Sequence, residues 1–156
     1  MERVWRLYLD TSVFGGVFDA KEGFDTHSRR VIEIIRSGRA RLLYSPALPE
    51  ELAGAPSHVR KVFEDLRAEH GNLVAITNEV QTLSQAYLDA GIVGPKWIDD
   101  TLHIAAATVA GADAIVSWNF KHMVRLDYIK EYNRVNVERG YAPLLILSPM
   151  EVVFNE

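Results

Sequence analysis

The chain has 156 residues, a length typical of one domain with a sizeable core, and we expect residues 1–156 to form a single domain. A content of 48% hydrophobic and 24% charged residues excludes disordered and fibrous classes. The net charge of −4 gives no overall attraction for nucleic acid, so a polyanionic substrate would need local positive charge or a bound cation. The absence of cysteine excludes disulfides, a thiolate nucleophile and cysteine-based zinc sites. With neither a secretory signal nor a membrane-spanning apolar stretch, the sequence predicts a cytoplasmic protein that has no membrane partner.

Short apolar runs alternate with longer segments of helical periodicity. In chain order they predict a strand at 4–9, a helix at 24–37, a strand at 42–44, helices at 48–53 and 59–69, a strand at 73–76, helices at 78–89 and 98–110, a strand at 114–117, a helix at 122–134 and a strand at 144–147. Gly38 and Gly111 follow two of these helices as C-terminal stops. The alternation predicts an α/β fold with a mainly parallel sheet.

Polar side chains directly follow three of the predicted strands. They are Asp10, Thr11 and Ser12 after the first strand, Ser45 after the second, and Ser117 and Asn119 after the fourth. In open α/β sheets, ligands collect at the carboxyl ends of the strands, so these positions predict a polar cleft. Asp10 either caps the next helix or faces a positive group, and the cap is the commoner role at such a junction.

Two further acidic pairs, Glu50–Glu51 and Asp99–Asp100, lie beside apolar positions of predicted helices. Adjacent helix positions point about 100° apart, so only one member of each pair can face the cleft. Asp100 lies four residues before Ile104 and continues its buried stripe. Glu51 is favoured over Glu50 because it lies closer to the apolar face of its helix.

Asp10, Glu51 and Asp100 would repel one another in a single cleft and raise one another's pKa values. A hard divalent cation removes this conflict, and an all-oxygen site suits Mg²⁺ or Mn²⁺. Such an ion can activate a water molecule and neutralise a phosphodiester under attack. Each carboxylate also has an ordinary explanation as a helix cap or first-turn residue. His103 could meet Asp100 on one helix face, although a hydrogen-bonded packing role is commoner for such a histidine.

Four segments, "LYLDTSVFGG", "SPALPEELAGAP", "DDTLHIAAAT" and "IVSWNFKH", occur in the order and spacing of a known family. Together they resemble PIN-domain proteins of the VapC type in toxin–antitoxin systems, and the resemblance extends from about residue 4 to residue 150. It implies a three-layer α/β/α fold with a mainly parallel, five-stranded sheet. It also implies an endoribonuclease that depends on Mg²⁺ or Mn²⁺.

The resemblance implies three acidic metal ligands at Asp10, Glu51 and Asp100. Supporting positions fall on Thr11, Ser12, Ser117 and His103. Asn119 stands where many PIN proteins have a fourth catalytic carboxylate, and its uncharged amide weakens a second metal site. We therefore expect one well-held ion, or a second ion recruited only with the substrate phosphate.

The segment after the fourth strand is locally basic, and Lys121 and Arg125 would contact RNA phosphates along one rim of the cleft. A solvated helix of mixed charge explains the same residues equally well. The resemblance further implies a homodimer and a small antitoxin protein as partner.

Other functions stay open on the sequence alone. With Asn119 at the fourth position, a catalytically weak or inactive PIN fold that binds RNA or protein is the main alternative. A phosphatase or a phosphorylatable receiver domain would need a second carboxylate two residues after Asp10, where this chain has Ser12.

Overall fold

The computed structural model describes residues 3–154 of the chain. Their five strands are β1 (Trp5–Leu9), β2 (Ala40–Tyr44), β3 (Gly71–Leu73), β4 (Ala114–Val116) and β5 (Leu145–Leu147). Their α-helices are α1 (Thr11–Gly16), α2 (Phe24–Arg36), α3 (Ala47–Leu52), α4 (Ser57–His70), α5 (Asn78–Asp89), α6 (Ile98–Val109) and α7 (Leu126–Glu138). Within residues 3–154, none of these helices is long and apolar enough to cross a membrane.

The strands form one sheet in the order β3-β2-β1-β4-β5, and every neighbouring pair is parallel. The central strand is β1, in which Leu7 pairs with Leu42 on one side and Ala114 on the other. The predicted α/β fold with a parallel sheet is therefore confirmed. Because all strands point the same way, the residues that follow β1, β2 and β4 share one edge of the sheet.

Helices cover both faces of the sheet, which gives the predicted three layers. Leu7 and Leu9 face a core that includes Val31 of α2 and Phe63 of α4. Tyr8 points to the opposite face and joins a second core with residues of α5, α6 and α7. Successive strand residues alternate between faces, so β1, β2, β4 and β5 each supply side chains to both cores, whereas the short edge strand β3 supplies none.

Most predicted elements lie within two residues of their observed bounds, and three larger differences remain. Helix α1 was not among the predicted helices; it begins directly after Asp10, whose side chain accepts a hydrogen bond from the Ser12 backbone N–H as an N-cap. The strand predicted at 73–76 lies at Gly71–Leu73. The helix predicted at 122–134 lies at Leu126–Glu138, so residues 122–125 form a loop at the edge of the sheet.

Candidate active site

Asp10 lies at the carboxyl end of the central strand and is buried. Its Oδ1 accepts from the Ser12 backbone N–H at 3.2 Å and from Ser12 Oγ at 2.6 Å, and its Oδ2 accepts from Ser117 Oγ at 2.6 Å. Burial raises the pKa of Asp10, although the His103 charge and the serine hydroxyls act in the opposite direction. The helix-cap interpretation of Asp10 is confirmed, and the side chain also brings a buried carboxylate to the sheet edge.

Glu51 of α3 ends a chain of hydrogen bonds that passes through the interior. Its Oε2 accepts from Thr11 Oγ1 at 2.9 Å, and its Oε1 lies 2.6 Å from His103 Nε2. His103 Nδ1 lies 2.7 Å from the Tyr8 hydroxyl, which donates to Ser45 Oγ at 2.9 Å. The His103 ring thus connects Glu51 to Tyr8 through its two nitrogens.

The surroundings of His103 are strongly acidic. Burial alone would lower the pKa of His103, but the hydrogen bond with Glu51 and the charges of three nearby carboxylates raise it. These carboxylates are Asp10, Glu51 and Asp100. Burial alone would raise the pKa of Glu51, but the hydrogen bond and charge of His103 lower it. The three acidic residues predicted from the sequence therefore all lie near the His103 ring.

Asp100 contacts a different histidine from the one that the sequence suggested. Its Oδ2 lies 2.9 Å from His122 Nδ1, in the loop between β4 and α7. The His122 ring lies against Trp97, with ring centroids 4.0 Å apart and an interplanar angle of 32°. His103, expected to meet Asp100 on one helix face, lies close enough for the Asp100 charge to raise its pKa, but its ring nitrogens contact Tyr8 and Glu51.

The loop that follows β4 is tied to the same edge by backbone hydrogen bonds. Ser12 Oγ accepts from the Trp118 N–H and Ser117 Oγ from the Asn119 N–H, both at 2.9 Å. Asn119 Oδ1 accepts from the His122 N–H at 2.9 Å. Asn119 thus holds the turn that carries His122, and its oxygen keeps a second lone pair.

The donor set has the chemistry that a hard cation requires, because three carboxylates and the hydroxyls of Thr11, Ser12 and Ser117 offer only oxygen. Within residues 3–154, however, no group of three or more acidic or histidine side chains is arranged to hold a metal ion. Glu51 is turned toward His103 and Asp100 toward His122, so each carboxylate is engaged locally. The donors fit a divalent cation in kind, and a bound cation would have to replace these imidazole contacts.

The two predicted rim cations differ in their surroundings. Lys121 is exposed and has no ion-pair partner among residues 3–154. Arg125 donates to both oxygens of Asp127 at 2.9 Å and lies 4.0 Å from the Tyr128 ring centroid. The positive charge of Arg125 is thus already paired, which leaves Lys121 as the freer of the two.

Sequence reasoning assigned no role to Tyr8, His122 or Trp97, although all three contact the acidic residues or their partners. Tyr8 carried a signal, since its hydroxyl needs a partner inside a buried strand. His122 belongs to the "WNFKH" segment, but its contact with Asp100 depends on a loop that was assigned to a helix. Trp97 precedes Asp100 by three residues and gave no periodic signal.

The fold and site together define a parallel α/β protein with an acidic cleft at the carboxyl edge of its sheet. A family model described as the PIN domain matches residues 6–121, which is most of the chain. The chain therefore belongs to the PIN domain family, as its motifs predicted.

No curated protein matches the chain. Eleven chains of solved structures do. One is from the crystal structure of VapBC2 from Rickettsia felis bound to a DNA fragment from their promoter. That match has a TM-score of 0.58 and 12% sequence identity, and it covers 92% of this chain and 98% of the other. At this identity the likeness concerns the fold.

Proposed function

We propose that this protein is an endoribonuclease that requires Mg²⁺ or Mn²⁺ and acts as the toxin of a toxin–antitoxin pair. The convergence of Asp10, Glu51 and Asp100 from three separate elements at one sheet edge is the observation that carries the proposal. Membership of the PIN domain family supports the nuclease class. The fold shared with a chain of a VapBC complex supports a small antitoxin partner.

In this proposal Asp10, Glu51 and Asp100 hold the cation. The ion, when bound, supplies an activated water molecule and neutralises charge on the scissile phosphodiester. Ser117 and Ser12 orient the Asp10 carboxylate, and Thr11 orients Glu51.

Three further residues complete the proposal. Asn119 contributes an uncharged amide oxygen, so one ion is expected before substrate binds. Lys121 and Arg125 contact RNA phosphates at the rim, with Lys121 contributing more because Arg125 is paired with Asp127. We further propose that the chain forms one domain and acts as a homodimer in the cytoplasm.

A catalytically weak PIN fold that binds RNA or protein is the second candidate, and two observations favour it. Asn119 replaces a carboxylate, and the three acidic residues are not arranged as a metal cluster within residues 3–154. The two candidates differ in one measurable respect, since only the nuclease cleaves RNA when a divalent cation is added.

Cleavage of a structured RNA by Asp100→Asn and Asp99→Asn tests the proposal. Both residues begin α6, but Asp99 is exposed whereas Asp100 contacts His122 at the cleft. We expect Asp100→Asn to lower the Mn²⁺-dependent rate by about a hundredfold, which corresponds to about 2.7 kcal/mol of transition-state stabilisation. Asp99→Asn should cleave like the wild type. Equal rates in all three proteins, or cleavage that persists in a chelator, would exclude the proposed function.

A further inference from the structure

We propose that Trp97, backed by His122, is a stacking platform for a nucleobase of single-stranded RNA next to the scissile phosphate. This inference rests on the proposed nuclease function, and it adds a residue that determines how the RNA lies in the cleft. Three features of Trp97 point to this role: its position relative to Asp100, its rigid support and the neighbouring lysine.

The position of Trp97 suits a base whose phosphate lies at the acidic cleft. A single imidazole separates the indole from the Asp100 carboxylate, since the His122 ring lies against Trp97 and its Nδ1 lies 2.9 Å from Asp100 Oδ2. Phosphate and base of one nucleotide are held apart by a spacer of similar size, the sugar. A phosphate near Asp100 would therefore bring an adjacent base within reach of the Trp97 ring.

The support of Trp97 is fixed by hydrogen bonds of its neighbour. The His122 backbone N–H donates to Asn119 Oδ1 at 2.9 Å, and the His122 carbonyl accepts from the Tyr132 hydroxyl at 2.9 Å. These bonds fix the backbone that carries the imidazole, and because neither involves Asp100 they persist when a cation displaces the contact between His122 and Asp100. A rigid aromatic surface loses little entropy when a base stacks on it.

Lys96 lies beside the exposed ring of Trp97, and this cation favours RNA over an apolar partner. Trp97 is 38% exposed, so part of its ring is accessible to a ligand. Lys96 Nζ lies 4.9 Å from the indole centroid, and the exposed Lys121 directly precedes His122. Aromatic surfaces among cations are typical of proteins that bind single-stranded nucleic acid, where bases stack and cations contact phosphates.

The chain contains a matched control residue at the opposite end of the sheet. Trp5 begins β1, is 37% exposed and has the Arg3 guanidinium 4.1 Å from its ring centroid. It resembles Trp97 in exposure and in its neighbouring cation, but it lies at the amino edge, away from the acidic cleft. Trp5→Leu therefore measures how much RNA binding changes when an exposed indole is lost far from the cleft.

The test measures binding of a labelled single-stranded RNA octamer by fluorescence anisotropy, in the full chain carrying Asp10→Asn to prevent cleavage. A set of octamers carries one abasic nucleotide at each position in turn. Trp97→Leu, Trp97→Phe and Trp5→Leu are compared, with folding checked by circular dichroism. We expect Trp97→Leu to weaken binding of the intact RNA about tenfold, Trp97→Phe to weaken it less, and Trp5→Leu to leave it unchanged.

The decisive result is coupling between the indole and one base. One abasic position should weaken binding about tenfold when Trp97 is present and should have no effect in Trp97→Leu. If an abasic nucleotide weakens binding equally with and without Trp97, or if Trp97→Leu binds the intact RNA as tightly as the Asp10→Asn protein, Trp97 is not a stacking platform. The exposed indole would then be a candidate contact for a protein partner. Wild-type cleavage measured in parallel separates the two proposals: cleavage without coupling overturns only the platform, and coupling without cleavage overturns only the nuclease.

Discussion

The Asp10 carboxylate accepts hydrogen bonds from Ser12 and Ser117, yet its pKa is raised because burial removes the charge from solvent. Raised carboxyl pKa values are common at functional sites, where the group serves a ligand or a reaction. The ionised Asp10 carboxylate is therefore expected to lower the free energy of unfolding, and its proposed role is to bind a cation.

The substitution Asp10→Asn tests this interpretation through the pH dependence of stability. A carboxyl whose pKa is raised on folding stabilises the folded state below its unfolded pKa, and this contribution is lost as the pH rises through the folded pKa. The free energy of unfolding of Asp10→Asn minus that of the wild type should therefore increase with pH and then level off. Urea unfolding of both proteins at a series of pH values measures this difference. A difference that stays constant or decreases with pH would contradict the assignment, whatever its absolute size.

For individual residues, the sequence was sufficient to select the acidic side chains near the cleft but not to identify their hydrogen-bonding partners. Asp10, Glu51 and Asp100 stand at strand ends or on apolar helix faces, so periodicity and motif order selected them. Their partners depend on how α6 rotates against β1 and on the path of the loop after β4. Neither follows from local pattern, which is why His103 was expected near Asp100 although it contacts Glu51.

Among the helices, α1 shows why a short element can be missed. Its sequence "TSVFGG" ends in two glycines, which have poor helix propensity, and the hydrophobic period is too short to detect. The helix is held instead by its Asp10 cap and by packing against α2 and α4. Gly16 permits that packing, because a Cβ there would lie 2.5 Å from Ser28 Oγ and 2.6 Å from Trp118 Nε1.

Gly16→Ala and Gly15→Ala should therefore have opposite effects on the free energy of unfolding. Trp118 Nε1 donates to Ser28 Oγ at 2.8 Å, and a methyl group at Gly16 would separate the two or displace α1. We expect Gly16→Ala to destabilise the protein by about 1–3 kcal/mol, as overpacking of a filled core does. A Cβ at Gly15 meets nothing within 4 Å, so Gly15→Ala should stabilise by about 0.5–1 kcal/mol. Denaturant unfolding measures both, and a Gly16→Ala protein as stable as the wild type would show that the contact is not tight.

The residue at which α7 begins depends on the Asn119 side chain, a contact that helix propensity does not take into account. Asn119 accepts from the His122 N–H, and Arg125 is extended with φ −146° and ψ 124°, so the helix begins only at Leu126. The predicted start four residues earlier would have placed His122 in a helical turn. The loop that results positions His122 beside Asp100, so this error in the element boundary also hid a site residue.

For the whole molecule, the balance of charge makes a cation the simplest way to complete the site. The chain carries a net charge of −4, and three of its carboxylates meet at one edge of the sheet. In the structure, two imidazole rings are the hydrogen-bonding partners of Glu51 and Asp100. A divalent cation that replaces them would bind the folded protein and not the unfolded chain, so binding should appear as added stability.

Thermal unfolding in Mn²⁺ measures this added stability without reference to RNA. At a free Mn²⁺ concentration about 100 times the dissociation constant, the gain is about 2.7 kcal/mol. For a protein of this size it corresponds to a rise in Tm of about 5–10 °C. Asp99→Asn should show the full rise, whereas Asp100→Asn should lose most of it because one of three carboxylates is missing. An equal rise in both variants would place the cation elsewhere on the surface. No rise in the wild type would mean that the imidazoles hold the carboxylates too firmly for a cation to displace them before RNA arrives.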